Sequence, residues 1–169
     1  MLRPYRLADG TQVLLRPVRP DDKHGLEAAF ARLSAESRRL RFLGPKPRLS
    51  RAELAYLTEV DGRDHVALLA VAAHAPAFIV GVARYVRDRE RPDAAEVAVV
   101  VGDSWQGQGL GRHMGLELAD VARANGIRRF TASMLSDNHA AHALFARISG
   151  RLHYAHHHGV EELVAELVA

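Results

Sequence analysis

The stretch Val99-Val100-Val101-Gly102-Asp103-Ser104-Trp105-Gln106-Gly107-Gln108-Gly109-Leu110-Gly111-Arg112 sets three glycines at alternate positions, between a β-branched run and an amphipathic one. A strand enters such a loop and a helix leaves it. The first N–H groups of a helix have no partners in the helix, and its dipole adds partial positive charge there. Glycine removes the side chains that would hold an anion away. The chemistry this suits is the gripping of a phosphate or pyrophosphate. Two well-known phosphate loops do not match. No Gly-Lys-Ser/Thr follows, so this is not a Walker loop. Gly107-x-Gly109-x-Gly111 departs from the G-x-G-x-x-G spacing of a dinucleotide fingerprint, and the strands before it read as antiparallel. A tight strand-to-helix turn uses glycines in the same way. The strand that feeds the loop, Ala94–Val101, holds a single acid, Glu96.

The elements that must position this segment follow from periodicity and punctuation. Thr11–Arg19 reads as an opening strand, with Pro17 marking a sheet edge or a strand end. Asp21 or Asp22 can cap a helix to about Leu33, with Leu26, Ala29, Phe30 and Leu33 on one face. A short basic helix follows, ended by Gly44-Pro45. Ser50 with Glu53 forms a capping box that opens a helix to about Val60. His65–Ala73, Phe78–Arg87 and Ala94–Val101 read as a meander, its first turn at Pro76. Gly109–Asn125 is a helix with Leu110, Met114, Leu118, Val121 and Ala122 on one stripe and Gly126 as its stop. Phe130–Leu135 is a strand, Asp137 or Asn138 caps a helix to about Ile148, and Leu152–Tyr154 and Val160–Val168 are closing strands. The order predicts an α/β or α+β layer fold around a mixed sheet.

Composition bounds the rest. A chain of 169 residues that is 48 % hydrophobic and 25 % charged has enough apolar surface for one core. It has no cysteine, which excludes disulfides, thiolate metal sites and a cysteine nucleophile. The longest apolar run, Val66–Ala73, is too short to span a bilayer, and the N-terminus lacks a signal-like stretch. A cytoplasmic location is expected. Residues 1–55 carry twelve Lys/Arg against six Asp/Glu, and residues 56–169 carry eleven against fourteen. The excess peaks at Arg38, Arg39, Arg41, Lys46, Arg48 and Arg51, a patch suited to an acidic partner, a nucleic acid, a phosphate-bearing cofactor or simply water. Few aromatics lie near it (Phe42 and Tyr56), which disfavours stacking on single-stranded nucleic acid. Ten histidines raise a metal reading, with His139 and His142 three apart and His156-His157-His158 in an expected turn. No carboxylate spacing completes a site, so no metal is expected.

Gln106-Gly107-Gln108-Gly109-Leu110-Gly111 resembles the Q/R-x-x-G-x-G/A signature of the GNAT acyltransferase superfamily, and the following strand and Asn138-initiated helix fit the same pattern. A narrower resemblance runs through Leu14 to Asp22, Arg38 to Pro45, Leu49-Ser50 with Glu53-Leu54, and Asp61 to Val71. These look like the catalytic domain of Pat-type bacterial protein lysine acetyltransferases. The resemblance covers essentially the whole chain, 1–169, as a single domain. It implies a mixed, mostly antiparallel sheet of six to seven strands flanked by about four helices, as a monomer or homodimer. It also implies transfer of an acetyl group from acetyl-CoA to an amine, such as a lysine of an acyl-CoA synthetase.

The resemblance also assigns roles. An alkylammonium has a pKa of about 10.4, so roughly one amine in a few thousand is neutral at pH 7. A carboxylate must take its proton, and Glu96 stands where a Pat-like enzyme keeps its general base. The main chain of Val99, Val100 and Val101 would run beside the pantetheine arm, one N–H polarising the thioester carbonyl. Gln106, Gly107, Gln108, Gly109, Leu110, Gly111 and Arg112 would cradle the pyrophosphate. Asn138 would hydrogen-bond the pantetheine region, compatibly with an N-cap role. Many GNAT enzymes protonate the departing thiolate with a tyrosine on the last helix. That position here is Phe145, and Tyr154 is a distant substitute. Acetylation of a small amine or protein N-terminus, and a non-catalytic CoA- or nucleic-acid-binding module, are the alternatives.

Overall fold

The uninterrupted apolar run at the centre of the chain builds a strand covered on both faces. In β3 (His65–Ala72), Val66, Leu68, Ala70 and Ala72 enter one apolar cluster, while Ala67, Leu69 and Val71 enter another. The computed structural model describes residues 2–167. Its elements run β1 (Arg3–Arg6), β2 (Gln12–Pro17), α1 (Lys23–Arg32), α2 (Ala35–Phe42), α3 (Arg51–Thr58), β3, β4 (Ala75–Arg87), β5 (Ala94–Val101), α4 (Leu110–Ala124), β6 (Arg129–Leu135), α5 (His139–Ile148), β7 (Arg151–His157) and β8 (Val160–Glu166). The strands form a single sheet in the order β1-β2-β3-β4-β5-β6-β8-β7, antiparallel except between β5 and β6. Leu26 and Phe30 of α1 and Leu54 of α3 cover one face. Leu110, Met114 and Leu118 of α4, with Phe145 and Ile148 of α5, cover the other.

This is the expected mixed α/β layer fold, with eight strands and five helices among the described residues rather than six to seven and about four. The added strand is β1. Its Arg3, Pro4 and Arg6 carry no apolar alternation, so only its pairing with β2, closed by a turn at Gly10 (φ 90°), makes it a strand. With β1 outside it, β2 is internal, and Pro17 marks its end rather than a sheet edge. The turn between β3 and β4 sits at Ala73-His74, and Pro76 lies inside β4 beyond a register shift. His156 and His157 belong to β7 rather than to a turn. Of the last strand expected over Val160–Val168, Val168 lies outside the described residues.

Local signals behaved unevenly. The Ser50–Glu53 capping box is present in both directions, the Ser50 hydroxyl accepting from Glu53 N (3.1 Å) and the Glu53 carboxylate from Ser50 N (2.7 Å). A hydrogen bond from Lys46 helps pull the Glu53 carboxyl down to about 2. Asp22 does not cap α1. A 3₁₀ turn over Pro20–Asp22 precedes that helix, and the Asp22 carboxylate instead takes both guanidinium nitrogens of Arg16 (2.6 and 2.8 Å) and Arg19 N (2.7 Å). This ties the end of β2 to the start of α1. No helix among the described residues is long and apolar enough to cross a membrane.

Burial alone would raise the Asp22 carboxyl, but the bonds from Arg16 and Arg19 outweigh it and hold it below 3.8. The native value is depressed, so this stabilisation is complete above pH 3.8 and fades as pH falls through the native value. Asp22→Asn should cost about 1–2 kcal/mol at pH 7. The gap in urea midpoint between the variant and the parent chain should narrow below about pH 4.

Candidate active site

The sheet divides at one residue pair. β5 and β6 pair through Ala94 with Arg129, Ala95 with Phe130 and Glu96 with Thr131, and not beyond. β5 continues against β4 as far as Val101, while β6 continues against β8 as far as Leu135. The two strands part after Glu96 and leave the β6-facing edge of Val97–Val101 without a strand neighbour. A cleft of about 650 Å³ occupies the opening. Its walls include Val99, Val100 and Val101 on one side and Ala132, Ser133 and Met134 on the other, with Phe145 and Asn138 from the α5 region. Val99 and Val101 also pack on the α4–α5 cluster and Val100 on the α1–α3 cluster, so their side chains serve the core and their main chain borders the cleft.

The glycine loop closes one end of the opening. Gly107 (φ 72°) and Gly109 (φ 86°) sit in the left-handed region, whereas Gly111 is an ordinary helical residue. A methyl group on Gly109 would lie 3.2 Å from the Tyr5 hydroxyl, and one on Gly111 would meet Val101 at an ordinary 3.5 Å. That contrast explains a signature strict for glycine at the first position and open to alanine at the second. Among the described residues, none of the amide N–H groups from Gly107 to Arg112 has an acceptor within the chain. Unpaired donors in a row at a helix start fit a diphosphate, and this fits the anionic end of coenzyme A.

The loop is braced from two sides. From below, the Gln108 carboxamide donates to the Asp9 carboxylate (3.0 Å), and Tyr5 stacks on His113 with ring centroids 3.8 Å apart. From above, Asp103 accepts from Ser34 N (3.0 Å), Ser34 Oγ (2.7 Å) and Ser37 Oγ (2.8 Å). Burial would raise the Asp103 carboxyl, but the bonds from Ser34 and Ser37 outweigh it and hold it low. Gln106 Nε2 donates to Val101 O (2.9 Å) and Ser37 Oγ (3.3 Å). Gln106, Gly107, Gly109, Gly111 and Arg112 line the cleft, whereas Gln108 turns to Asp9 and Leu110 enters the core. Asn138 lines the cleft, and its side chain accepts from Ala141 N (3.1 Å) as the expected N-cap.

Glu96 lies at the apex of the opening and is exposed. It is the one carboxylate among the described residues that line the cleft. It shares its sheet face with Arg84, which sits two register positions along in β4, and with His65 in β3. Phe145 is buried on the cleft wall. Tyr154 is exposed on β7 and packs on His142 (centroids 5.6 Å), outside the cleft lining.

These features are those of an acetyl-CoA-dependent fold, and the comparisons agree. A family model described as "Acetyltransferase (GNAT) family" matches residues 30–150. The chain belongs to the GNAT acetyltransferase family. It is 35 % identical over 146 residues to Acetyltransferase Pat of Mycolicibacterium smegmatis, covering 86 % of this chain and 43 % of that protein. It is 37 % identical over 125 residues to Acetyltransferase PA5475 of Pseudomonas aeruginosa, covering 73 % of this chain and 66 % of that one. The GNAT domain of S. lividans PAT superposes with a TM-score of 0.87 at 31 % identity, covering 98 % of this chain and 97 % of that domain. The chain thus spans less than half of Pat and about two thirds of PA5475.

Within this GNAT chain the basic run is not one open face. Arg39 pairs with Glu36 (2.8 Å) and Asp137 (2.7 Å), and Lys46 pairs with Glu53. Arg38 donates to Ala31 O (3.0 Å) and lies over Phe30, and Arg41 lines the cleft. Asp137 is hidden from a linear reading because it is 98 residues away from Arg39. The histidines are also more engaged than a surface reading expects. Buried Glu161 takes His142 (2.7 Å) and His156 (2.6 Å). Among the described residues no group of three or more His, Cys, Asp or Glu could hold a metal ion. Ser34, Ser37 and Asp103 went unnoticed in the sequence, where nothing links residues nearly seventy positions apart.

Gly109→Ala should cost about 1–2 kcal/mol, since a non-glycine residue must hold a left-handed conformation. It should also weaken coenzyme A binding by calorimetry, whereas Gly111→Ala should leave thermal stability unchanged within about 0.5 kcal/mol.

Proposed function

We propose that the chain, as a single GNAT domain, transfers an acetyl group from acetyl-CoA to the ε-amine of a protein lysine, such as one on an acyl-CoA synthetase in the cytoplasm. The observation that carries this reading is the meeting, in one opening, of a row of unpaired N–H groups with a lone carboxylate at its apex. The lysine part rests on the resemblance to Pat-type protein lysine acetyltransferases, with which the 35 % identity to Acetyltransferase Pat agrees. The ion pairs of Arg39 and Lys46 leave fewer free cations for nucleic acid.

In this reading the residues from Gly107 to Arg112 hold the diphosphate by main-chain donors. The strand edge at Val99–Val101 aligns the pantetheine arm, and Asn138 borders it. Glu96 takes the proton from the acceptor ammonium, directly or through water. The neutral nitrogen then attacks the thioester carbonyl, a C–N bond forms, the C–S bond breaks, and the second proton shed by the nitrogen goes to water or to the departing thiolate. A main-chain N–H of the β5 edge offsets the charge on the carbonyl oxygen. Making the amine neutral at pH 7 is worth about 4–5 kcal/mol, which is the share that falls to Glu96.

Glu96→Gln should lower kcat by about 10²–10⁴-fold near neutral pH and leave acetyl-CoA affinity intact. Incubation of cell lysate with labelled acetyl-CoA, read by mass spectrometry, should place label on lysines with the parent chain and not with this variant. Unchanged turnover would remove Glu96 from the mechanism. Label found only on small amines or N-termini would overturn the lysine assignment.

A further inference from the structure

Two guanidiniums approach each other on the acceptor face with no carboxylate paired to either. Arg84 is 5 % exposed, its Nη2 donating to Leu57 O (3.0 Å) and its Nη1 to His65 Nε2 (3.1 Å). A guanidinium only donates, so this contact requires the lone pair on Nε2 and the ring hydrogen on Nδ1. His65 is neutral in that state. Burial and the nearby Arg84 charge both lower its pKa, in keeping with the geometry.

Arg41 extends from α2 into the same region. It lines both the cleft and a second, mostly apolar cavity of about 150 Å³ on the α1–α3 side of β4 and β5. Phe30, Phe42, Leu57 and Phe78 are among that cavity's walls. Among the described residues Arg41 has no hydrogen-bond or ion-pair partner, and its guanidinium carbon lies 4.9 Å from the centroid of the Phe42 ring. The charged and titratable groups whose fields reach this pair are few. Glu96 of β5 and Tyr56 of α3 act on Arg41, and Tyr56 also packs on His65 (4.8 Å). Burial and the Arg41 charge push Arg84 down to about 10. Two like charges that line one cavity disfavour each other unless an anion joins them. Glu96 is near enough to be felt, yet it makes no ion pair with Arg41.

A carboxylate and a guanidinium that line one cleft, neither of them paired, are complementary to a ligand carrying both charges. We propose that Arg41 is an anion subsite for the acceptor, receiving a carboxylate carried on the same molecule as the reacting amine, with Arg84 deepening the positive potential behind it. The proposal rests on the transferase reading only in taking the amine to be the one acetylated at Glu96. The carboxylate has two sources of one chemistry. It is the α-carboxylate of a free amino acid, or the side chain of an Asp or Glu beside the target lysine.

Trp105 is the only tryptophan of the chain and lines both cavities, so its fluorescence reports binding without turnover. One arm compares Nα-acetyl-lysine with its methylamide. The other compares a capped Asp-Lys dipeptide with Asn-Lys. In at least one arm the carboxylate form should bind about tenfold tighter at pH 7, as a charge-assisted guanidinium–carboxylate contact allows. Arg41→Gln should erase that preference, Arg41→Lys should retain part of it, and melting curves should show all three chains folded. Equal binding within both arms, a preference that survives Arg41→Gln, or no binding in either arm at millimolar concentration would overturn the proposal. The readout uses neither acetyl-CoA nor Glu96 chemistry, so loss of turnover tests the transferase reading separately.

Discussion

Everything in the cleft depends on two parallel strands that stop pairing. A strand inside a sheet has both edges of its main chain committed to neighbours. By parting from β6 after Glu96, β5 keeps its antiparallel partner β4 and frees one edge over Val97–Val101. A free edge is ordinarily a hazard, since it invites another chain to pair with it. Here it faces a cleft with α5 and β6 on the far side. The crossover through α4 is what makes the arrangement possible. A parallel neighbour needs a long connection, and this connection leaves β5 at the end far from Glu96, through the glycine loop that starts α4.

The opening is bridged as well as walled. Asp103 binds Ser34 and Ser37 at one end of α2, and Arg39 reaches Asp137 just ahead of Asn138. These contacts carry α2 from the β5 side of the cleft to the β6 side. Leu43 ends α2 as a left-handed cap (φ 60°) whose N–H donates to Arg39 O, and it lines the cleft. The exposed ion pair of Arg39 contributes little by itself to stability. Its geometric consequence is larger, because it fixes where Arg41 and Phe42 sit two and three residues further along.

What could be read from the chain alone follows the range of each interaction. The α4 stripe, the Ser50 capping box, the Asn138 cap and the glycine loop are signals within four or five residues, and each was legible. The β3–β4–β5 meander was legible because its strands are consecutive. Strand β1 was not, because nothing in Arg3-Pro4-Tyr5-Arg6 alternates and the strand exists only by pairing with β2. The basic run showed the same limit in reverse. Its charges were plain, and Glu36 lies three residues from Arg39 on the same helix, but Asp137 is brought to Arg39 only by the fold. In the site, glycines and Glu96 carried local or family-level signals. The braces from Tyr5, Asp9, Ser34 and Ser37 carried none, since they join segments far apart in sequence.

The absence of a phenol at Phe145 is consistent with where the chemical difficulty lies. The side chain at that position is buried against the cleft and has no proton to give. Tyr154 points its ring at His142, outside the cleft, and is no substitute. A thiol has an ordinary pKa near 8.5 and an alkylammonium one near 10.4, so at pH 7 the thiolate leaves at a smaller proton cost than the amine enters. A carboxylate placed for the entering amine therefore addresses the larger of the two costs. The positive potential of Arg41 and Arg84 acts in the same direction, because it disfavours the ammonium form of any amine brought beside Glu96. On the proposed assignment, one carboxylate and two guanidiniums prepare the nucleophile, and the leaving group departs without a side-chain acid from α5.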